Sequence, residues 1–238
     1  MTKIVVPLIL TSQNQAFDIA EFVAADIIEW RADYLAFAEI LSVAKTVKER
    51  FKKPLLFTVR TKKEGGNLAL SNQEYLQLLT ELLELQPDYI DFEYFSYKEA
   101  IPEFKKRCKA KGVKLVVSYH NFKETPKDLE QTLNDLLVTN PDVVKIAVKP
   151  RSFDDVLKVL SLNNNYTNAA EETPSNKAEL VMLSMGELGV ITRVAADLIG
   201  AAWTFAIVNQ SSAPGQLDIN QTKELLKLFK GKRENEND

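Results

Sequence analysis

A lysine set inside a run of β-branched residues is the first place where this sequence could do chemistry. Lys145 is the only charge in Val143-Val144-Lys145-Ile146-Ala147-Val148. A buried ammonium is costly, so such a lysine is either half of an ion pair or a nucleophile. The ion-pair reading would match it with Glu29, Asp91 or Glu93. The nucleophile reading is a Schiff base with a carbonyl substrate, which needs the neutral amine. At an unperturbed pKa near ~10.4 about one lysine in ~2500 is neutral at pH 7, so that role calls for desolvation or nearby cations. Arg31 and Arg193 are candidates for those cations. His120, the single histidine, closes Val116-Val117-Ser118-Tyr119-His120. A lone histidine is often an ordinary satisfied polar group, but beside an imine it is a fit proton carrier near neutral pH.

Further charges occupy alternate positions of neighbouring apolar runs. Glu29 alternates with Arg31, Thr58 with Arg60, Asp91 with Glu93, and Ser118 with His120. Alternate residues of a strand share a face. One such strand reads equally well as a half-solvated sheet. In a parallel barrel whose outside is covered by helices, the same face points into the lumen. Burying that many ionisable groups without pairing or purpose would cost several kcal/mol each, on the order of the usual desolvation penalty.

The elements that would position these residues recur along the whole chain. Strand-like runs lie at 4–10, 27–33, 55–60, 89–94, 114–120, 143–148, 180–185 and 202–208. Helical periodicity fills 72–85, 98–110, 127–138, 153–162 and 187–199, and a last helix is expected over 219–229. Eight strands, each followed by a helix, predict an α/β fold, a (β/α)8 TIM barrel formed by residues 1–238 as one domain. A doubly wound open sheet is the runner-up, but the first turn, Leu10-Thr11-Ser12-Gln13-Asn14, lacks glycine, and no phosphate-cradling Gly motif occurs. The Asn-rich stretch 163–176 reads as a surface loop and the charged stretch 230–238 as a frayed tail.

Composition narrows the function classes. With 30 Lys plus Arg against 33 Asp plus Glu, the net charge of -3 argues against a general nucleic-acid binder. No apolar run is long enough for a membrane helix, and the N-terminus lacks the architecture of a signal peptide. The single cysteine, Cys108, fits a reducing cytoplasm; one histidine without a cysteine cluster predicts no metal, and an imine acting as the electron sink would need no organic cofactor.

Seven motifs in order resemble the type I 3-dehydroquinate dehydratase family, the Schiff-base-forming barrel enzymes of the shikimate pathway. They are Glu29-Trp30-Arg31-Ala32-Asp33, Arg60-Thr61-Lys62-Lys63-Glu64-Gly65-Gly66, Asp91-Phe92-Glu93, Ser118-Tyr119-His120-Asn121-Phe122, Val144-Lys145-Ile146-Ala147, the Ser184–Arg193 element and Ser212-Ala213-Pro214-Gly215-Gln216. The resemblance implies that Lys145 forms the imine with 3-dehydroquinate, His120 moves the protons and Glu64 orients His120. It implies that Arg193 clamps the substrate carboxylate, and that Glu29, Arg31 and Arg60 hold ring hydroxyls and charge. Ser212 and Gln216 would sit on a closing lid. A homodimer is expected on the same ground, with no nucleic-acid or membrane partner. The rivals are a class I aldolase-like lyase, whose phosphate site has no counterpart after the eighth strand, and a barrel that only binds a carboxylate ligand.

Overall fold

The computed structural model describes residues 1–172, 178–208 and 210–234. Its strands are β1 (Lys3–Ile9), β2 (Ile27–Arg31), β3 (Leu55–Thr58), β4 (Tyr89–Glu93), β5 (Lys114–Asn121), β6 (Val143–Val148), β7 (Glu179–Ser184), β8 (Trp203–Ile207) and the two-residue β9 (Leu217–Asp218). All neighbours pair in parallel, in the order β7-β6-β5-β4-β3-β2-β1-β8-β9. The sheet curls until β7 and β8 meet, where the Ala202 N–H donates to the Leu180 carbonyl at 2.8 Å. The expected barrel is therefore formed, with the short β9 added beyond the eight strands read from the sequence.

The helices are α1 (Ile40–Arg50), α2 (Asn72–Leu83), α3 (Tyr94–Tyr97), α4 (Ile101–Lys111), α5 (Leu129–Val138), α6 (Phe153–Glu172), α7 (Val190–Val194) and α8 (Ile219–Glu234). Local signals set several of their ends. Ser71 and Glu74 form a reciprocal capping box at the start of α2, and Gly112 closes α4 in the left-handed conformation at φ 70°. Among the described residues no helix is long and apolar enough to cross a membrane.

Four local expectations differ from the structure. Residues 163–172, read as loop, continue α6. Tertiary contacts override the weak helix propensity of asparagine there: the buried Asn163 amide donates to the Met182 carbonyl at 3.0 Å. The rest of that stretch, 173–176, lies outside the described residues. The expected helix at 187–199 shrinks to the 3-10 turn Glu187–Gly189 followed by α7. There Thr192 Oγ1 bonds both the Gly189 carbonyl and the Ser184 N–H, folding the segment back onto the end of β7. The connection from β1 to β2 carries only the 3-10 turn Ile19–Phe22, capped by Asp18, because residues 11–18 offer no apolar stripe. Finally, α8 extends through Glu234 into the predicted tail, and 235–238 lie outside the described residues.

Period-two alternation sorts the strands into two apolar layers. Outward residues such as Trp30, Phe57, Phe92, Val117 and Ile146 pack with the helices. Inward residues, among them Val5, Ile27, Tyr89, Val143 and Trp203, fill the lumen toward the N-terminal ends of the strands. Tyr89 and Trp203 meet edge to face at 5.0 Å, and the Trp203 indole donates to Glu179, which also pairs with Lys3 at 2.8 Å. Above this layer the inward positions change from apolar to charged.

Candidate active site

The change of character follows from strand register. Glu93, Ser118 and Lys145 are lateral neighbours on β4, β5 and β6, so their side chains share the lumen face one step above the apolar layer. Lys145 is 5% exposed. Its Nζ donates to Glu29 Oε1 at 2.9 Å, lies 3.8 Å from Asp91 Oδ2, and sits 4.5 Å from the centroid of the Phe205 ring. Thr58 donates to the same Glu29 oxygen at 3.0 Å. Burial alone would raise the Glu29 carboxyl, but the Lys145 and Arg31 charges outweigh it and hold it below the usual carboxylate range. The ion pair read from the sequence thus exists, and it holds the amine at the floor of an open cavity.

His120 is the penultimate residue of β5. Its Nδ1 lies 3.0 Å from Glu64 Oε2, and its backbone N–H donates to that oxygen at 3.0 Å. Glu64 ends the 3-10 turn Lys62–Glu64, which Gly65 terminates at φ 82°. With Nδ1–H directed at the carboxylate, Nε2 is left as the free base. Burial pushes the imidazole well below the ordinary histidine value, and the charges of Arg60, Lys145 and Arg31 push it further. Burial also pushes the Glu64 carboxyl well up, aided by Glu93 and opposed by Arg60. The pair accordingly rests with the imidazole uncharged.

Arg60 ties this region together. One guanidinium nitrogen donates to Glu93 and Ser118, both at 3.0 Å, and the other to Asp91 at 2.9 Å, while Glu64 stands 3.6 Å away. Glu93 is held in addition by the Thr61 N–H at 2.8 Å and hydroxyl at 2.6 Å. Arg31 is locked by Asp33 through two contacts of 2.7 and 2.8 Å. Arg193, on α7, is different. It is 2% exposed, donates to the Pro214 carbonyl at 3.2 Å, leaves its buried Nε without a partner, and forms no ion pair among the described residues. Burial pulls this guanidinium down to about 10. It is a cation held ready for an anion that no described residue supplies.

All nine residues singled out from the sequence line one cavity: Glu29, Arg31, Arg60, Glu64, His120, Lys145, Arg193, Ser212 and Gln216. It contains about 490 Å³ of free space counted out into its mouth. Ser212 and Gln216 lie on a loop that braces itself, with the Ser212 N–H donating to Gln216 Oε1 at 2.9 Å and the Gln216 amide to Ser212 Oγ at 3.2 Å. Sequence reasoning quoted Asp33, Phe122 and Met185 within the motifs but gave them no role, although Asp33 braces Arg31 and the other two line the cavity; the apolar walls Leu183 and Phe205 carried no signal. Among the described residues no group of three or more His, Cys, Asp or Glu side chains could hold a metal ion.

Comparison with known proteins agrees along nearly the whole chain. A model of the type I 3-dehydroquinase family matches residues 4–233. The 3-dehydroquinate dehydratase of Streptococcus mutans is 46% identical over 231 residues, covering 94% of this chain and 98% of the relative. The crystal structure of 3-dehydroquinate dehydratase from Geobacillus kaustophilus superposes with a TM-score of 0.86 at 31% identity, covering 97% of this chain and 92% of that one. The type I 3-dehydroquinate dehydratase from Clostridium difficile, solved with covalently modified comenic acid, gives a TM-score of 0.83 at 32% identity, covering 96% and 92%. Agreement of this extent in sequence and fold leads to one conclusion: the chain is an enzyme that belongs to the type I 3-dehydroquinase family.

Proposed function

We propose that this enzyme dehydrates 3-dehydroquinate to 3-dehydroshikimate through an imine on Lys145, with His120 moving the protons. The observation that carries the reading is a buried primary amine and a carboxylate-held imidazole lining the same cavity. A relative with a covalently modified ligand supports the covalent route. The Lys145 amine adds to the C3 ketone and water leaves, giving an imine whose protonated form is an electron sink. His120 Nε2 takes the proton at C2, and the electron pair moves toward nitrogen to give an enamine. The enamine expels the C1 hydroxyl, which departs as water with a proton returned by the imidazolium. Hydrolysis of the imine frees the product and restores the amine, so the net change is the loss of one water.

The remaining residues bind and orient. Glu64 fixes the imidazole, and Arg193 takes the substrate carboxylate in a two-pronged contact. Arg31, Arg60, Ser212 and Gln216 offer donors to the ring hydroxyls, while Glu29 accepts from the ammonium in the resting state. In this reading the whole chain is one barrel domain that works in the cytoplasm as a homodimer, in the shikimate pathway, without metal or organic cofactor.

Two measurements test the proposal. Purified protein given 3-dehydroquinate should generate the ultraviolet absorbance of a conjugated enone carboxylate, at full rate after exhaustive chelation. An aldolase-like lyase or a passive carboxylate binder gives no such absorbance, and loss of the rate to chelator, restored by a divalent ion, would overturn the imine route. Arg193→Lys keeps the charge but loses the fork, so kcat/KM should fall by about 2–5 kcal/mol, the range for a buried charged contact. Arg193→Met should fall at least as far in kcat/KM yet melt no lower than the parent, because it removes a buried cation that has no ion-pair partner among the described residues and whose Nε is unpartnered. Parental kinetics from Arg193→Lys would take this residue out of the site.

A further inference from the structure

The two segments that meet at the Glu64–His120 pair also meet a second time. Phe122 follows His120 by two residues, and its ring lies directly on the backbone of Gly65, which follows Glu64. A Cβ built on Gly65 would stand 2.2 Å from the Phe122 ring, and the residue has φ +82°, so only glycine fits the contact without strain. The turn is pressed equally closely onto the segment that follows β3, where a Cβ on Gly66 would stand 2.0 Å from the Arg60 carbonyl oxygen. Phe122 itself remains 37% exposed at the rim of the cavity. A large apolar ring left that open contributes little as core.

We propose that Phe122 and Gly65 form a clasp that positions His120: the ring seats on the glycine backbone, fixes the Glu64 turn against β5 and shields the imidazole–carboxylate pair from water. Phe122 and Gly65 are thus positioning residues for the proton carrier. The inference rests on the proposed role of His120 only for its kinetic consequence. The structural part can be read separately, because the chain contains a single histidine whose ring resonances are unambiguous.

The groups that face the imidazole are Glu64 from the turn, Arg60 from the end of β3, Arg31 from the end of β2 and Lys145 from β6. None of them is altered by changing the clasp. Removing the ring admits water, which relieves the burial that holds the imidazole low, so its titration should move up toward the ordinary histidine range. The experiment is an NMR titration of His120 in the parent, Phe122→Ala and Gly65→Ala proteins, with kcat and KM measured on each and on the double variant.

Both single variants should titrate His120 at higher pH than the parent, and the acid limb of kcat/KM should rise with it. Each should lose kcat by about 10-fold or more, as small misplacements of a catalytic group do, and Gly65→Ala should leave KM little changed. The double variant should lose less than the product of the two single losses, since without the ring the added Cβ has less to strike. If Gly65→Ala fails to fold, Phe122→Ala alone decides by the same titration and kcat. An unchanged His120 titration in Phe122→Ala, or a loss confined to KM, would overturn the clasp. A shifted titration with parental kcat would retain the shield but overturn the claim that the clasp positions a proton carrier.

Discussion

Lys145→Ala is expected to abolish both turnover and covalent capture. With substrate and borohydride the parent protein should gain the mass of a reduced adduct on Lys145, and the variant should gain nothing. Its kcat should fall on the order of 10⁴–10⁶-fold, the range seen when a covalent catalyst loses its nucleophile. The variant should also be less stable near neutral pH. Removing the ammonium strands the Glu29 carboxylate, 2% exposed, and breaking one half of a buried pair typically costs about 3–5 kcal/mol. The pH dependence has a defined sign. In the parent, Glu29 is held low by Lys145, so the stability of this pair is present above the unfolded carboxyl pKa and is lost as pH falls through the folded one. In the variant, burial dominates and Glu29 takes up a proton, so the melting deficit should shrink toward acid pH. Capture on another lysine would show that the nucleophile has been misassigned.

His120→Ala should fail at a later step. The amine is intact, so borohydride should still attach ligand, more slowly because imine formation itself needs proton transfers. The captured species should be heavier by one water than that from the parent, since C2 deprotonation has lost its base. The expected loss in kcat is ~10²–10⁴-fold, the usual worth of a general base. Glu64→Ala should give a milder defect of the same kind by freeing the imidazole to turn. In the parent, burial and three nearby cations hold the imidazole low, so kcat/KM should persist into acid below the ordinary histidine range before it falls. Normal dehydration by His120→Ala, or an acid limb in the ordinary range, would remove His120 from the base role.

The charged half of the lumen was legible because a strand has period two. Glu29 with Arg31 and Asp91 with Glu93 declare a shared face in the sequence itself, and parallel neighbours carry that face inward. What sequence could not convey is who pairs with whom across the barrel. The Lys145–Glu29 contact joins residues 116 positions apart, and three acids were candidates for it. Phe205 was illegible for another reason. It alternates with Trp203 in an ordinary apolar strand, and only closure of the barrel brings its ring under the Lys145 ammonium. Helix lengths failed where side chains rather than periodicity decide them, as with Asn163 reaching Met182 and Thr192 folding back on Ser184.

The packed floor beneath Lys145 dictates the traffic through this enzyme. Among the described residues Tyr89, Trp203 and the Glu179–Lys3 pair pack the far end of the barrel, so in the proposed reaction ketone, expelled water and finished enone would share the cavity mouth as their doorway. Product must vacate before the next substrate can enter, which makes the two competitors for one threshold. On the proposed imine route, a molecule fastened permanently to Lys145 would plug that doorway as well as consume the amine, so one equivalent per chain is expected to silence the enzyme.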